Sequence, residues 1–175
     1  EQFFGRPGSL IDLGCGTGAT TLASKRACPC RGGRTGRLLR ENPDVGGTAR
    51  ARVTDVTDLK QCEALAGETL AAYGTVDVLA CIAGGGGGYE ELDAIDPAWW
   101  AHVVSLNLVG TFHAIRAFLP ELRRRRGGSI LTCAGGGAFF PLLGVPASAY
   151  AAAKAGVSRL TDQLAVELHG AGVRV

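Results

Sequence analysis

Methionine is missing altogether from this sequence of 175 residues. A chain that carried its own start codon would begin with one, so the sequence reads as a fragment of a longer protein. Its end, "AGVRV", reads as the opening of a further strand, which points to truncation at the C-terminus. A strong charge bias is missing too: 18 basic against 16 acidic side chains leave a net charge of +2. The basic residues gather in Arg31 to Arg40 and in Arg123 to Arg126 rather than along one stripe, which disfavours nucleic acid as a partner. No apolar stretch reaches the roughly 18 to 20 residues that a membrane span requires. No charged segment followed by an apolar run and a cleavage site opens the chain. The expectation is a soluble, cytoplasmic protein with no membrane partner.

A complete metal-ligand pattern is the last absence. Cys15, Cys62, Cys81 and Cys133 stand singly among apolar or small residues and read as buried thiols of a reducing compartment. Only Cys28 and Cys30 lie close, in "CPC", and no second pair or histidine cluster completes a zinc site, so no metal is expected.

What is present is a regular alternation. With 46% hydrophobic and 19% charged residues the chain can bury the core of one domain, taken here as residues 1–175. "ARARVTDV" reads as a strand, "LKQCEALAGETLAAYG" as a helix closed by Gly74, and "VDVLACIAG" as a buried strand running into glycine. Pro97 opens a long helix through "AWWAHVVSLNLVGTFHAIRAFLPELRRRR", whose basic end suits the helix dipole. "SILTCAG" is another strand, "SAYAAAKAGVSRLTDQLAVELHG" a second long helix, and "VRV" the last strand. Strands alternating with helices, without hairpin signals, imply an α/β domain: a doubly wound, Rossmann-like parallel sheet covered on both faces.

The first 50 residues fit this order less well and form a divergent region before the regular part, residues 51–175. "LIDLGCGTGATT" has the order of a strand, a glycine-rich loop (Gly14, Gly16, Gly18) and a helix. Asp12 with these glycines resembles the first motif of S-adenosylmethionine-dependent methyltransferases. The segment after it, rich in proline and glycine, offers no convincing second strand, being either irregular or altered, as by a reading-frame error. The glycine clusters from Ala83 and from Ala134 follow predicted strands at their C-terminal ends, where open α/β sheets bind ligands.

Tyr150 and Lys154 are four residues apart on a predicted helix, so both side chains share one face. An ammonium beside a phenol favours its ionised form, and a phenol of ordinary pKa about 10 then becomes usable as an acid or base. From Asp55 to Val175, the order of elements and their punctuation resembles the short-chain dehydrogenase/reductase family. Asp55 in "VTDVTD", "CIAG" at Cys81 to Gly84, Asn107 in "SLNLVGTF", "TCAGGG", and Tyr150 with Lys154 carry the resemblance.

The resemblance implies an NAD- or NADP-dependent oxidoreductase that interconverts a small-molecule alcohol and a carbonyl by hydride transfer, assembled as a homo-oligomer. Tyr150 becomes the proton donor or acceptor. Lys154 holds ribose hydroxyls and lowers the Tyr150 pKa, and Asn107 anchors a proton relay ending at Lys154. Asp55 and Val56 meet the adenine, while Ala83 and Gly84 let the cofactor pass, after the first loop at Gly14, Gly16 and Gly18. Turn formation or helix capping competes as a role for Asp55, and local hydrogen bonding as a role for Asn107.

Departures from the family pattern are specific. The family's serine is replaced by Gly135 when counted from the strand, or by Gly137 when counted back from Tyr150, with Thr132 as a substitute donor. Cys81 and Ile82 replace both asparagines of the usual turn. A second reading is therefore a non-catalytic relative, a scaffold that binds cofactor or dimerises through Trp99, Trp100, Phe112 and Phe118. The third is the methyltransferase.

Overall fold

The computed structural model describes residues 9–13, 19–24, 48–85 and 89–175. Its sheet has the order β3-β2-β1-β4-β5, formed by β1 (Ser9–Leu13), β2 (Ala19–Ser24), β3 (Thr48–Val53), β4 (Val78–Cys81) and β5 (Ser129–Thr132). β1, β4 and β5 are parallel, in the register Leu10↔Val78 and Val78↔Ser129. Each crossover between parallel strands needs a dozen or more residues, and helices supply it after β4.

The N-terminal part departs from the expected strand, loop and helix. Residues 19–24 form β2, antiparallel to β1 with Leu13↔Thr20 in register, and β3 is antiparallel to β2. Thr20 and Thr21 are β-branched and lose less by being extended than by being helical. Moreover, only residues 14–18 separate β1 from β2, a spacing that suits an antiparallel return. The sheet is thus mixed, within an α/β Rossmann-like fold. The three candidate loop glycines Gly14, Gly16 and Gly18, and also Cys15, Cys28 and Cys30, lie outside the described residues.

From β3 onward the helices fall where periodicity places them. α1 (Leu59–Tyr73) is capped by Asp58, whose carboxylate accepts from the Lys60 N–H, and ends at Gly74 in the left-handed conformation that glycine adopts without penalty. α2 (Pro97–Val104) starts with Asp96 as cap and Pro97 in its first turn. It runs through one π-helical turn (Ser105–Val109) into α3 (Gly110–Arg125). α4 (Ser148–Leu168) follows β5, and Arg174 then bridges to Ser129 in parallel.

By length and composition the run Pro97–Arg125, with mean hydropathy 1.3 in its most apolar window, is enough to cross a bilayer, which differs from the sequence expectation. Its apolar face is spent on the core instead. Ala114, Ile115, Phe118 and Leu122 of α3 pack with Leu65 of α1, Leu79 and Cys81 of β4, Ile130 of β5 and Leu168 of α4. These strand residues share one face of the sheet, because side chains alternate along a strand. Thr132, on that same face, bonds Thr161 of α4. On the opposite face Leu131 is 55% exposed.

Of the aromatic residues proposed for an interface, Phe118 is core, whereas Trp99 and Phe112 are exposed. Trp100 donates its indole N–H to the Ser148 hydroxyl at 3.2 Å, tying α2 to the first turn of α4. The thiols of Cys62 and Cys81 are buried, which pushes them up to about 11 and about 12 respectively. Cys133 is exposed, unlike the buried thiol expected at that position. It follows the last residue of β5, where the sheet's C-terminal edge opens.

Candidate active site

The site forms where β4 and β5 end beside α4. Tyr150 and Lys154 lie one turn apart on α4, as their spacing predicts, with the Lys154 ammonium 5.6 Å from the centre of the phenol ring. Lys154 is 4% exposed. Its ammonium has three N–H donors and one hydrogen-bond partner among the described residues, the Cys133 carbonyl at 2.9 Å. Burial pulls the Lys154 pKa down, opposed by the nearby Cys133 thiol.

The expected lowering of the phenol is not realised in the protein alone. Burial first, then the ionisable Cys133 and Tyr89, push Tyr150 above its ordinary value. The Lys154 ammonium is turned to a backbone carbonyl, and the phenol, raised chiefly by burial, is protonated at neutral pH.

Asn107 is fully buried in the π-helical turn. Its side-chain N–H groups donate to the carbonyls of Gly85 and Val103, each at 2.9 Å. Its carbonyl oxygen accepts from the Gly85 N–H at 3.2 Å. Asn107 therefore makes both the local bond that its alternative role required and a long-range clasp on the segment after β4. A Cβ on Gly84 would come within 2.5 Å of Asn107 Oδ1 and 3.3 Å of Lys154 Nζ. Only glycine lets the chain pass so close to both. Ala83 packs at the edge of the core cluster.

Asp55 acts locally. Its carboxylate accepts from the backbone N–H and the hydroxyl of Thr57, at 2.8 and 2.7 Å, forming an Asx turn ahead of α1. Val56 is buried against Gly110, where a Cβ would lie 2.6 Å from Val56 Cγ2. His113 Nδ1 lies 3.0 Å from the Val56 carbonyl and so carries the proton of that bond. His113 did not stand out in the sequence, and Gly85 was one glycine among several in the cluster from Ala83. The i, i+3 spacing of Gly110 and His113 on one helix is the signal that pairs them with Val56.

The geometry separates the two candidates for the missing serine. A Cβ on Gly135 would lie 3.0 Å from Tyr150 Oη, whereas one on Gly137 would meet Leu142 and Ala151. Gly135 is thus the residue facing the phenol. Its φ of +74° is a conformation that glycine alone adopts readily. Thr132 does not substitute: the Thr161 hydroxyl gives its proton to the Val157 carbonyl, so Thr132 spends its own on Thr161.

Comparison with known proteins decides the family. The sequence profile described as short chain dehydrogenase matches residues 19–175. The chain belongs to the short-chain dehydrogenase family. Within it, the chain is 34% identical over 124 residues to the 2,3-dihydro-2,3-dihydroxybenzoate dehydrogenase of Escherichia coli, covering 70% of this chain and 48% of that relative. It is 33% identical over 133 residues to the inactive 2-(S)-hydroxypropyl-CoM dehydrogenase 2 of Xanthobacter autotrophicus, covering 75% and 56%. Among solved structures, a metagenomic short-chain oxidoreductase in complex with NADP aligns with a TM-score of 0.69 at 32% identity, over 74% of this chain and 58% of that one. Levodione reductase aligns with a TM-score of 0.68 at 33% identity, over 71% and 47%. The chain spans about half the length of the curated relatives it matches. Membership of the short-chain dehydrogenase family takes away the support that the opening motif lent to a methyltransferase.

Proposed function

We propose that the protein is an NAD- or NADP-dependent oxidoreductase that interconverts an alcohol and a carbonyl compound. The observation that carries this reading is the Tyr150–Lys154 pair, set on one turn of α4 against the Gly84–Asn107 contact, in a chain of this family. Relatives with dehydrogenase and reductase names, and the NADP-bound neighbour, support it.

The residues fit a nicotinamide cofactor. Lys154 keeps two N–H donors beyond its bond to Cys133, suited to a pair of ribose hydroxyls, and Gly84 keeps the chain flat beside it. When bound, the cofactor supplies hydride transfer. Tyr150, protonated in the free protein, gives its proton to the carbonyl oxygen in reduction and regains it in oxidation. Asn107 fixes Gly85, next to the Gly84 that lies against Lys154. Asp55 and Val56 are assigned to the adenine end, where His113 and Gly110 hold Val56 in place. The exposed rings of Trp99 and Phe112 support assembly of copies through α2 and α3.

Gly135 favours one alternative, a relative that binds cofactor without turnover, since no hydroxyl faces the phenol from that position. Titration with NADH, NADPH and S-adenosylmethionine tests the reading. Binding of a nicotinamide cofactor is expected, and binding of S-adenosylmethionine alone overturns it. Tyr150→Phe is expected to lower alcohol–carbonyl turnover by about 10²-fold or more while leaving cofactor affinity within about twofold. Cofactor binding without turnover in the unaltered chain selects the alternative.

A further inference from the structure

We propose that the site selects a neutral alcohol or carbonyl compound with an apolar body and discriminates against one bearing a negative charge. This rests on the oxidoreductase reading and deepens it.

The segments after β4 and β5 both border the Tyr150–Lys154 pair, through Gly84 beside Lys154 and Gly135 beside Tyr150. Gly135 faces the phenol oxygen, and a Cβ on Gly137 would meet Leu142 of the same segment and Ala151 in the first turn of α4, so this segment lies against α4. Tyr89, from the other segment, is close enough to act electrostatically on the phenol. Residues 133–147 contain no charged side chain. Within them Phe140 is 77% and Leu143 90% exposed, and Phe139 is exposed as well. Tyr89 and Leu92, in the segment after β4, are exposed as well. Large side chains exposed together beside a reactive group mark a binding surface for an apolar body.

Charge selects among the possible bodies. Residues 89–96 carry Glu90, Glu91, Asp93 and Asp96, all exposed, and no lysine or arginine. Lys154 is buried and directed to the Cys133 carbonyl. An anion approaching the phenol meets the field of these carboxylates, which follow Tyr89 directly in the chain, and then an uncharged segment where its lost hydration goes unreplaced. A neutral ketone pays neither cost and gains by covering Phe140 and Leu143.

Acetophenone and 4-acetylbenzoate, which share the ketone and differ in one carboxylate, are the probes. Binding is measured by saturation-transfer NMR on the full chain with NADH or NADPH present. Acetophenone is expected to bind at least about tenfold more tightly, consistent with exclusion of an unpaired charge. The exposed pair Phe140→Ser and Leu143→Ser should weaken acetophenone several-fold without altering cofactor affinity. Glu90→Lys with Glu91→Lys should narrow the discrimination. Equal affinities, tighter binding of 4-acetylbenzoate, or no ketone binding in the presence of bound cofactor overturn the proposal while leaving the oxidoreductase reading intact. So does a serine pair that changes only the sedimentation of the chain, because a second copy then covers the apolar segment. Failure of NADH and NADPH to bind overturns both.

Discussion

At Gly135 the replacement of a family serine is more than a lost hydroxyl. The backbone there has φ +74°, so a side chain is strained before it meets anything, and its Cβ is then held 3.0 Å from Tyr150 Oη. Placing a non-glycine residue in such a region costs about 1–3 kcal/mol. Gly135→Ser is therefore expected to lower the unfolding free energy by about 1–3 kcal/mol and to give no gain in turnover, read by urea denaturation and by assay. A rate increase at unchanged stability would mean that the segment accepts the serine after all. The phenol offers a second test. With its pKa raised by burial, then by Cys133 and Tyr89, Tyr150 keeps its proton above the pH at which an ordinary phenol, near about 10, loses it. Below the ordinary value both states are protonated and pH is without effect through this group. Above it the unfolded chain ionises first, so stability is lost as pH rises. The tyrosinate absorbance of the unaltered chain minus that of Tyr150→Phe should titrate above the ordinary value, and a midpoint below it refutes the assignment. Sequence alone gave the pair its shared helical face but pointed to the opposite shift. Burial sets the direction, with Cys133 and Tyr89 adding to it, and the Lys154 ammonium is spent on the Cys133 carbonyl, a partner that no spacing reveals.

Elements read from the sequence hold best where a periodic pattern meets a punctuating residue. Asp58 and Gly74 bracket α1, and Asp96 with Pro97 opens α2. The π-helical turn at Ser105–Val109 had no such signal, and it carries Asn107, whose clasp on Gly85 spans residues far apart in the chain. β2 was misread as a helix because small residues and threonines after a glycine run suit either state until a neighbouring strand decides between them. Gly110 illustrates a helix position governed by what it touches. Replacing a helical glycine by alanine gains up to about 1 kcal/mol in propensity. Here the added methyl falls 2.6 Å from Val56 Cγ2 and 3.2 Å from Val56 Cβ, and a β-branched side chain cannot swing both away. Overpacking costs about 1–3 kcal/mol, so it outweighs the propensity term. Gly110→Ala should be destabilised overall and should weaken nicotinamide-cofactor binding if Val56 contacts the adenine. A gain in melting temperature would show that the helix and the turn before α1 separate freely.

Across the whole molecule, the α/β alternation and its Rossmann-like sheet were legible because β4 and β5 each run into a glycine cluster and are followed by a long helix. The antiparallel β2 was not legible, and neither was the unequal treatment of the two sheet faces. Contacts from α1, α3 and α4 fall on the face of Leu79, Cys81, Ile130 and Thr132. Adjacent residues of β5 then make a direct comparison. Ile130 is 2% exposed and Leu131 55% exposed, although both are large aliphatic residues in one short strand. Truncating a buried isoleucine to alanine costs about 2–5 kcal/mol through lost transfer energy and the cavity it leaves. A side chain more than half exposed has little of either to lose, and surface substitutions stay within about 0.5 kcal/mol. Ile130→Ala should therefore lose several times more unfolding free energy in urea than Leu131→Ala. Equal losses would mean that Leu131 is covered in the folded protein, and that the second face of the sheet is packed as fully as the first.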